Sequence, residues 1–232
     1  MDFIFWSFEA GYFFQNIATI FQIFKILKRG NNECISLETN ILFLFGAISR
    51  IFWISGNNRL EVFISSLEQI LSIFSLCSII FLYLKYKSKN YYYEIKLPFY
   101  LKLYFLFPII IILSLCFNPG DVLLSDQVFV SFGIFCETVG LLPQLYILNI
   151  TKDSGDLSEF YLLFLAIARL FRLFFWILLY RLGGRFFSLI IADIIYSFAL
   201  FDVSYKTLKN WDGKGKGLPT SLLNLNNKHS LF

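Results

Sequence analysis

Three arginines lie inside long apolar runs of the sequence. Arg50 belongs to "FGAISRIFW" at residues 45–53, and Arg169 and Arg172 belong to "FLAIARLFR" at residues 164–172. A guanidinium group inside a membrane costs at least about 3 kcal/mol, and it persists where it faces a polar cavity or an acidic partner. Its planar fork of donors matches a carboxylate better than a neutral ligand. The arginines therefore predict either a cavity that binds an anionic group or ion pairs that only hold helices together, and Arg172 could also snorkel or pair locally.

Acidic partners for these arginines are present in the same kind of run. The candidates are Glu68, Glu137, Asp193 and Asp202. Glu137 lies in "FCETVGLLPQL", well inside an apolar run, and Arg50 and Arg169 are both predicted to lie mid-span. We expect an ion pair between an arginine of one half of the protein and Glu137 of the other half.

The composition is that of a membrane protein. Of 232 residues, 57% are hydrophobic and 20% aromatic, and only 16% are charged, whereas soluble domains are about a quarter charged. A soluble fold of this size could not hide 30 Phe and 13 Tyr and keep a wettable surface. The sequence therefore predicts an integral membrane protein.

Seven apolar runs are long enough to cross a membrane as helices. They cover about residues 4–24, 40–56, 62–84, 97–117, 126–149, 159–180 and 186–206. Basic residues are concentrated in the odd-numbered loops and the tail, while the even-numbered loops hold only Arg59, Arg181 and Arg185. Because basic loops stay in the cytosol, the N-terminus is predicted to be lumenal and the C-terminus cytosolic. Residues 1–209 would form the membrane domain, and the polar, glycine-rich residues 210–232 a disordered cytosolic tail.

The two arginine-bearing stretches indicate an internal repeat. A shift of 119 residues aligns "FGAISRIF" with "FLAIARLF", and a shift of 122 pairs Gln22 with Gln144. Arg50 thus corresponds to Arg169 or to Arg172. Spans one to three would form one three-helix unit, spans five to seven a second parallel unit, and span four the connector, as in transporters built from parallel repeats.

Other features limit the chemistry. The four cysteines lack metal-ligand spacing, the one histidine, His229, lies near the end, and no Gly-rich phosphate loop is present. We therefore expect no enzyme, no metal and no cofactor. Pro143 beside Gln144 predicts a kink in span five, which could be static or could act as a hinge. The lysine-rich third loop and tail favour contact with anionic membrane lipids over nucleic acid.

Several stretches together carry a family resemblance. They are "ETVGLLPQL" at 137–145, "FYLLFLAIARLFRLFFW" at 160–176, "CIS" at 34–36 and "LYLKYK" at 82–87. Over about residues 10–208 the sequence resembles the KDEL receptors, the ER lumen protein retaining receptors. Their fold is similar to that of the PQ-loop and SWEET transporters, with seven helices in two three-helix units.

The resemblance implies a sorting function and roles for individual residues. Such receptors bind the C-terminal retrieval peptide of escaped ER proteins in the acidic Golgi and return it to the ER by coat-dependent traffic, where it is released at neutral pH. By position, Arg50 would meet the peptide carboxylate and Arg169 would be a second cavity arginine. Trp176 would be a cavity aromatic, and Glu137 part of the buried polar network. Lys214 and Lys216 in the tail would stand in for the coat-binding signal.

The sequence also departs from the family pattern. The pH-sensing histidine of the first helix falls on Gln15, which cannot titrate, and the two acids that meet the ligand's basic residue fall on Trp53 and Gln127. We therefore expect a relative with an altered ligand preference or pH response, or one that no longer retrieves cargo. Two alternatives stay open: a PQ-loop or SWEET-type carrier of a small anionic solute, and an adaptor without a ligand.

Overall fold

The computed structural model describes residues 2–30, 35–53, 59–87, 97–120, 125, 127–151, 156–183 and 187–214, and these residues fold as helices joined by short connections. Seven α-helices follow one another: α1 (Asp2–Arg29), α2 (Leu37–Arg50), α3 (Arg59–Lys87), α4 (Leu103–Cys116), α5 (Gln127–Thr151), α6 (Asp156–Arg181) and α7 (Phe187–Lys214). Short 3-10 turns at Ile51–Trp53 and Phe99–Leu101 follow α2 and precede α4. The all-α prediction is confirmed, with one helix on each predicted span.

Three helices are long and apolar enough to cross a membrane by themselves, namely α3, α5 and α6, and α4 is a shorter apolar helix. The helices α2 and α4 are shorter than the predicted spans because the chain tightens into 3-10 turns beside them. Arg50 is the last residue of α2 and is followed directly by the 3-10 turn, and its predicted mid-span depth stays a prediction. A cation suits that position because the carbonyl end of a helix carries partial negative charge.

Two helix pairs join the two halves of the described structure. Helix α1 packs along α6, and α2 packs along α5. Within the first half α3 contacts α1 and α2, and within the second half α7 contacts α5 and α6, while α4 lies mainly on α5. The pairings of the first three helices therefore recur among the last three. The exact repeat remains a prediction.

Glycines bring α2 and α5 close together. A Cβ on Gly140 would lie 2.8 Å from Cβ of Leu42, and one on Gly133 would lie 2.8 Å from the hydroxyl of Ser49. Small residues allow close backbone approach in membranes, where van der Waals packing drives helix association. This contact fixes the distance between the end of α2 and the middle of α5, which carry Arg50 and Glu137.

The part of α5 around Pro143 is tied to the start of α2. Pro143 lies within the continuous α5 helix, and the backbone N–H of Gln144 donates to the hydroxyl of Thr39 at 3.1 Å. The Gln144 side chain accepts the backbone N–H of Ser36, the N-cap of α2, at 2.8 Å. The bond from Ser36 gives an acceptor to a backbone N–H at the start of α2, where the first N–H groups of a helix have no intrahelical partner. The kink at Pro143, and its possible role as a hinge, stay predictions.

Candidate ligand-binding site

The first group of buried polar residues surrounds Arg50, and we call it the Arg50 cluster. It consists of Glu9 and Asn16 on α1, Arg50 on α2, and Ser65, Glu68 and Ser72 on α3. Nη1 of Arg50 donates to the Glu68 carboxylate at 2.9 Å, and Nη2 donates to the Ser72 hydroxyl at 3.3 Å. The other Glu68 oxygen accepts from the Asn16 amide at 2.8 Å. Glu68 therefore holds α1, α2 and α3 together.

Glu9 adds a second carboxylate to the Arg50 cluster. It is 6% exposed, and one of its oxygens accepts a short hydrogen bond from the Ser65 hydroxyl. Its other oxygen, Oε2, is buried and has no hydrogen-bond partner among the described residues. Glu9 is repelled by Glu68 and attracted by Arg50. This end of the site thus holds two carboxylates for one arginine.

The second group is centred on Glu137, and we call it the Glu137 cluster. It consists of Gln15 on α1, Glu137 on α5, Arg169 and Arg172 on α6, and Asp193 and Tyr196 on α7. Oε2 of Glu137 accepts from Nη2 of Arg169 at 3.0 Å and also from Nη1 of Arg172 in a short ion pair. Nη1 of Arg169 bonds Asp193 at 3.3 Å. One oxygen of Glu137 thus serves two arginines, which compete for it.

Two tyrosine rings lie against the arginines. The guanidinium carbon of Arg169 lies 3.8 Å from the ring centre of Tyr196. Tyr12 on α1 contacts both clusters, because its ring centre lies 3.5 Å from the guanidinium carbon of Arg50 and 4.7 Å from that of Arg172. A desolvated cation over an aromatic face gains about 2 kcal/mol. Tyr12 is therefore the aromatic bridge between the Arg50 and Glu137 clusters.

The expected ion pair between the two halves is not what the structure shows among its described residues. Arg50 pairs with Glu68 of its own half, and Glu137 pairs with Arg169 and Arg172 of its own half. The halves are joined instead by Tyr12 and by Gln15, whose amide oxygen accepts from Arg172 at 3.3 Å. Arg50 pairs with Glu68, which is the acidic candidate nearest to it in sequence, because α2 packs against α3.

The buried clusters leave several polar atoms without hydrogen bonds among the described residues. They are Nε of each of the three arginines, Nη2 of Arg172, Oδ2 of Asp193, the hydroxyl of Tyr196 and Oε2 of Glu9. Each such group costs about 1 to 3 kcal/mol if nothing meets it. Donors and acceptors both occur in this set, so the interior is suited to receive a polar guest such as water or a charged ligand.

The remaining predicted site residues are not among the members of these two clusters. Trp176 is buried, 2% exposed, and packs in an apolar group with Leu189 and Ile190 of α7. Gln127, the first residue of α5, is exposed. Trp53 ends the 3-10 turn after α2, and its side chain lies outside the described residues. Lys214 is the last residue of α7, which continues through the first five residues of the predicted tail, and Lys216 lies outside the described residues.

Of the four acidic candidates, three form the buried ion pairs and Asp202 is exposed.

Sequence reasoning missed Glu9, Tyr12, Asn16 and Tyr196, and it missed the serines of α3. A signal for them exists in the spacing. Glu9, Tyr12, Asn16 and Thr19 lie three or four residues apart on α1, and Glu61, Ser65, Glu68, Ser72 and Ser75 do so on α3. Such spacing places each set on one helix face.

The helices and the buried clusters define an all-helical membrane protein whose arginines face its interior. Known sequences agree with this class. The sequence profile of the ER lumen protein retaining receptor matches residues 31–179. The chain therefore belongs to the ER lumen protein retaining receptor family.

Individual relatives cover most of the chain at low identity. ER lumen protein-retaining receptor 3 of Xenopus tropicalis is 26% identical over 210 residues, which is 88% of this chain and 92% of that protein. The ER lumen protein-retaining receptor of Kluyveromyces lactis is 28% identical over 209 residues, covering 84% of this chain and 91% of its own. ER lumen protein-retaining receptor 2 of Xenopus tropicalis is 34% identical over 109 residues, 44% of this chain and 47% of that protein.

Proposed function

We propose that the protein is a secretory-pathway sorting receptor that binds C-terminal retrieval peptides of ER lumenal proteins and returns them from the Golgi to the ER. The observation that carries this proposal is the set of three buried arginines in a chain of the ER lumen protein retaining receptor family. Buried guanidinium groups recognise carboxylates with strong, planar, paired hydrogen bonds. Every peptide with a free C-terminus carries such a carboxylate.

In this proposal the peptide carboxylate meets Arg50, and Arg169 supports the interior of the same site. Both arginines already hold internal acids, Glu68 for Arg50 and Glu137 with Asp193 for Arg169. An entering carboxylate must therefore share the guanidinium group with the internal acid or displace it. The internal acids keep the empty site electrically balanced, since a buried charge without a partner would be strongly destabilising.

The ligand preference differs from that of the family pattern in this proposal. Trp53 and Gln127 stand where two acids would meet the ligand's basic residue, and Gln15 stands where a titrating histidine would sense pH. In the structure, Gln15 accepts a hydrogen bond from Arg172, a role that needs no proton exchange. The acid-rich end lies between α1 and α3 instead, at Glu9 and Glu68, so a basic group of the ligand would be read there.

The site would face the ER or Golgi lumen, with the N-terminus lumenal and the C-terminus cytosolic. This orientation rests on the basic residues of the odd-numbered loops and the tail. Lys214 and Lys216 would recruit the retrieval coat, and neighbouring lysines would contact anionic lipid heads of the cytosolic leaflet.

A cellular retention assay tests the proposal. A secreted reporter with a randomised C-terminal tetrapeptide is co-expressed with the protein, and retained reporters are sequenced. We expect one family of tails to be retained, and expect Arg50→Ala to abolish retention. Arg59→Ala is the matched control, because Arg59 is exposed at the start of α3 and should leave retention unchanged.

Retention of no tail from a complete library would contradict the receptor function. Transport of a small organic anion by the purified protein in proteoliposomes would then favour the carrier. Equal loss of retention with Arg50→Ala and Arg59→Ala, at equal protein levels, would contradict the role of Arg50 alone.

A further inference from the structure

Arg172 differs from the other two buried arginines in the number of guanidinium nitrogens that have no hydrogen-bond partner among the described residues. Arg50 and Arg169 each use both Nη atoms in hydrogen bonds, which leaves only Nε without a partner. Arg172 uses only Nη1, which donates to Glu137 and to Gln15. Its Nε and Nη2 have no hydrogen-bond partner among the described residues.

These two nitrogens form one edge of the planar guanidinium group. Their N–H bonds point the same way, in the spacing that accepts the two oxygens of a carboxylate side by side. The side chain of Arg172 is 1% exposed, so this edge is not simply solvated at the protein surface. A buried donor edge of this kind is costly unless a polar group meets it, and none of the described residues supplies one.

The surroundings hold Arg172 in place. Nη1 is fixed by Glu137 and Gln15, and the ring of Tyr12 lies against the guanidinium group. The absence of a side chain at Gly11 makes room for the stem, because a Cβ there would lie 2.7 Å from Cγ of Arg172. The open edge is thus positioned before any ligand arrives, which lowers the entropic cost of binding.

We propose that the Nε–Nη2 edge of Arg172 binds a carboxylate of the ligand, as a second anionic subsite beside Arg50. The inference rests on the proposed peptide-binding function and adds the residue that reads a further acidic group. The two clusters together hold three arginines and four carboxylates, so an excess of positive charge does not attract the ligand. The anionic group is attracted by hydrogen-bond donors instead, because among the described residues Arg172 is the one of the three arginines that has both Nε and an Nη atom unpaired.

The carboxylate could come from an acidic side chain of the peptide or from its C-terminus. Both sources present the same planar pair of oxygens. A peptide that carries one acidic and one basic group would add no net charge to the interior. Its basic group could lie at Glu9, whose Oε2 has no donor among the described residues.

The test measures binding of fluorescent peptides to the full-length protein purified in detergent. The probes are nonapeptides whose last four residues vary, each made with a free C-terminal carboxylate and with a C-terminal amide. Paired peptides with Asp or Asn, and Glu or Gln, at each varied position distinguish the side-chain source from the terminal one. The variants are Arg172→Lys, Gly11→Ala and the control Arg181→Lys, which changes an exposed arginine at the end of the same helix.

We expect Arg172→Lys to reduce the preference of the protein for one carboxylate over its amide by about 10- to 100-fold, since a bidentate charge-assisted pair is lost. Lysine keeps one positive charge for Glu137, so the fold is maintained while the second edge is removed. Gly11→Ala displaces the stem of Arg172 and should weaken the same preference, whereas Arg181→Lys should not change it.

The outcomes separate this inference from the proposed function. If peptides bind the natural protein but Arg172→Lys and Gly11→Ala leave every acid-to-amide ratio unchanged, water occupies the edge and the inference is wrong. If no free-acid peptide binds the natural protein, the proposed function fails, and this subsite fails with it.

Discussion

The Arg50 and Glu137 clusters bury charge in different proportions, with one arginine to two carboxylates in the Arg50 cluster and two arginines to two carboxylates in the Glu137 cluster. In the Arg50 cluster, Glu9 and Glu68 lie beside one arginine, and an oxygen of Glu9 has no donor among the described residues. In the Glu137 cluster, Arg169 and Arg172 share one carboxylate oxygen, and no residue that the structure describes accepts from the Nε–Nη2 edge of Arg172. Tyr12 lies between the two clusters and contacts an arginine of each.

The polar interior is therefore asymmetric, although the helix pairings of the first half recur in the second half. Among the described residues, both clusters have unpaired donors and acceptors, but only the Glu137 cluster has a two-nitrogen donor edge, that of Arg172, and the unpaired carboxylate oxygen of the Arg50 cluster belongs to Glu9. A ligand with a basic group and a carboxylate would complete both ends, whereas a small anion would complete only the Glu137 end. Substitutions that affect one cluster and leave the other intact should therefore differ in their effects on stability and binding.

The largest effect is expected for Glu137→Gln. This change leaves Arg169 with Asp193 and leaves Arg172 without an ion-pair partner among the described residues, and removing one partner of a buried ion pair costs about 3 to 5 kcal/mol. The free energy of unfolding, measured by denaturant titration in detergent, should fall by that amount. Glu68→Gln is the matched change in the Arg50 cluster and should cost less, because Glu9 remains near Arg50. Equal losses for the two variants would contradict the asymmetry.

Tyr12→Leu should have the next largest effect, because it removes the ring that both Arg50 and Arg172 contact. Each desolvated cation–π contact contributes about 2 kcal/mol, so the loss should exceed that of a change affecting one arginine. Tyr12→Phe keeps the ring and should remain close to the natural protein in thermal unfolding. If Tyr12→Phe is as unstable as Tyr12→Leu, the hydroxyl group rather than the ring joins the clusters.

Gln144→Ala should cost about 1 kcal/mol, because the backbone N–H of Ser36 loses its acceptor at the start of α2. Gln144 on α5 contacts the start of α2, whereas Arg50 is at the end of α2, so peptide affinity should stay the same while thermal stability falls. A loss of affinity without a loss of stability would instead support the predicted hinge at Pro143 and Gln144.

The smallest effect, and one of opposite sign, is expected for Glu9→Gln. The amide removes the repulsion between Glu9 and Glu68 and keeps an acceptor for Ser65. Stability should therefore stay within about 0.5 kcal/mol of the natural protein or rise, as for changes that break no paired contact. A loss as large as that of Glu137→Gln would show that both clusters need all their acids in the same way.

The sequence predicts the helices well and the contacts between side chains less well. Apolar runs locate all seven helices, and charge within those runs identifies Arg50, Glu68, Glu137, Arg169 and Asp193 as buried. The pairing of Arg50 with Glu68 rather than Glu137 depends on how α2 packs between α3 and α5, which periodicity does not encode. Tyr12 and Glu9 were missed because the first apolar run was interpreted only as a membrane span, and its polar residues were not assigned to one helix face.

The most direct measurement compares the affinity of the purified protein for matched peptides that end in a free carboxylate or in an amide. A tail recovered from the retention assay supplies the peptide, and the protein concentration and detergent are the same for both. If buried arginines bind a carboxylate, the free acid should bind at least about tenfold more tightly. Equal affinities for the two peptides would contradict the account.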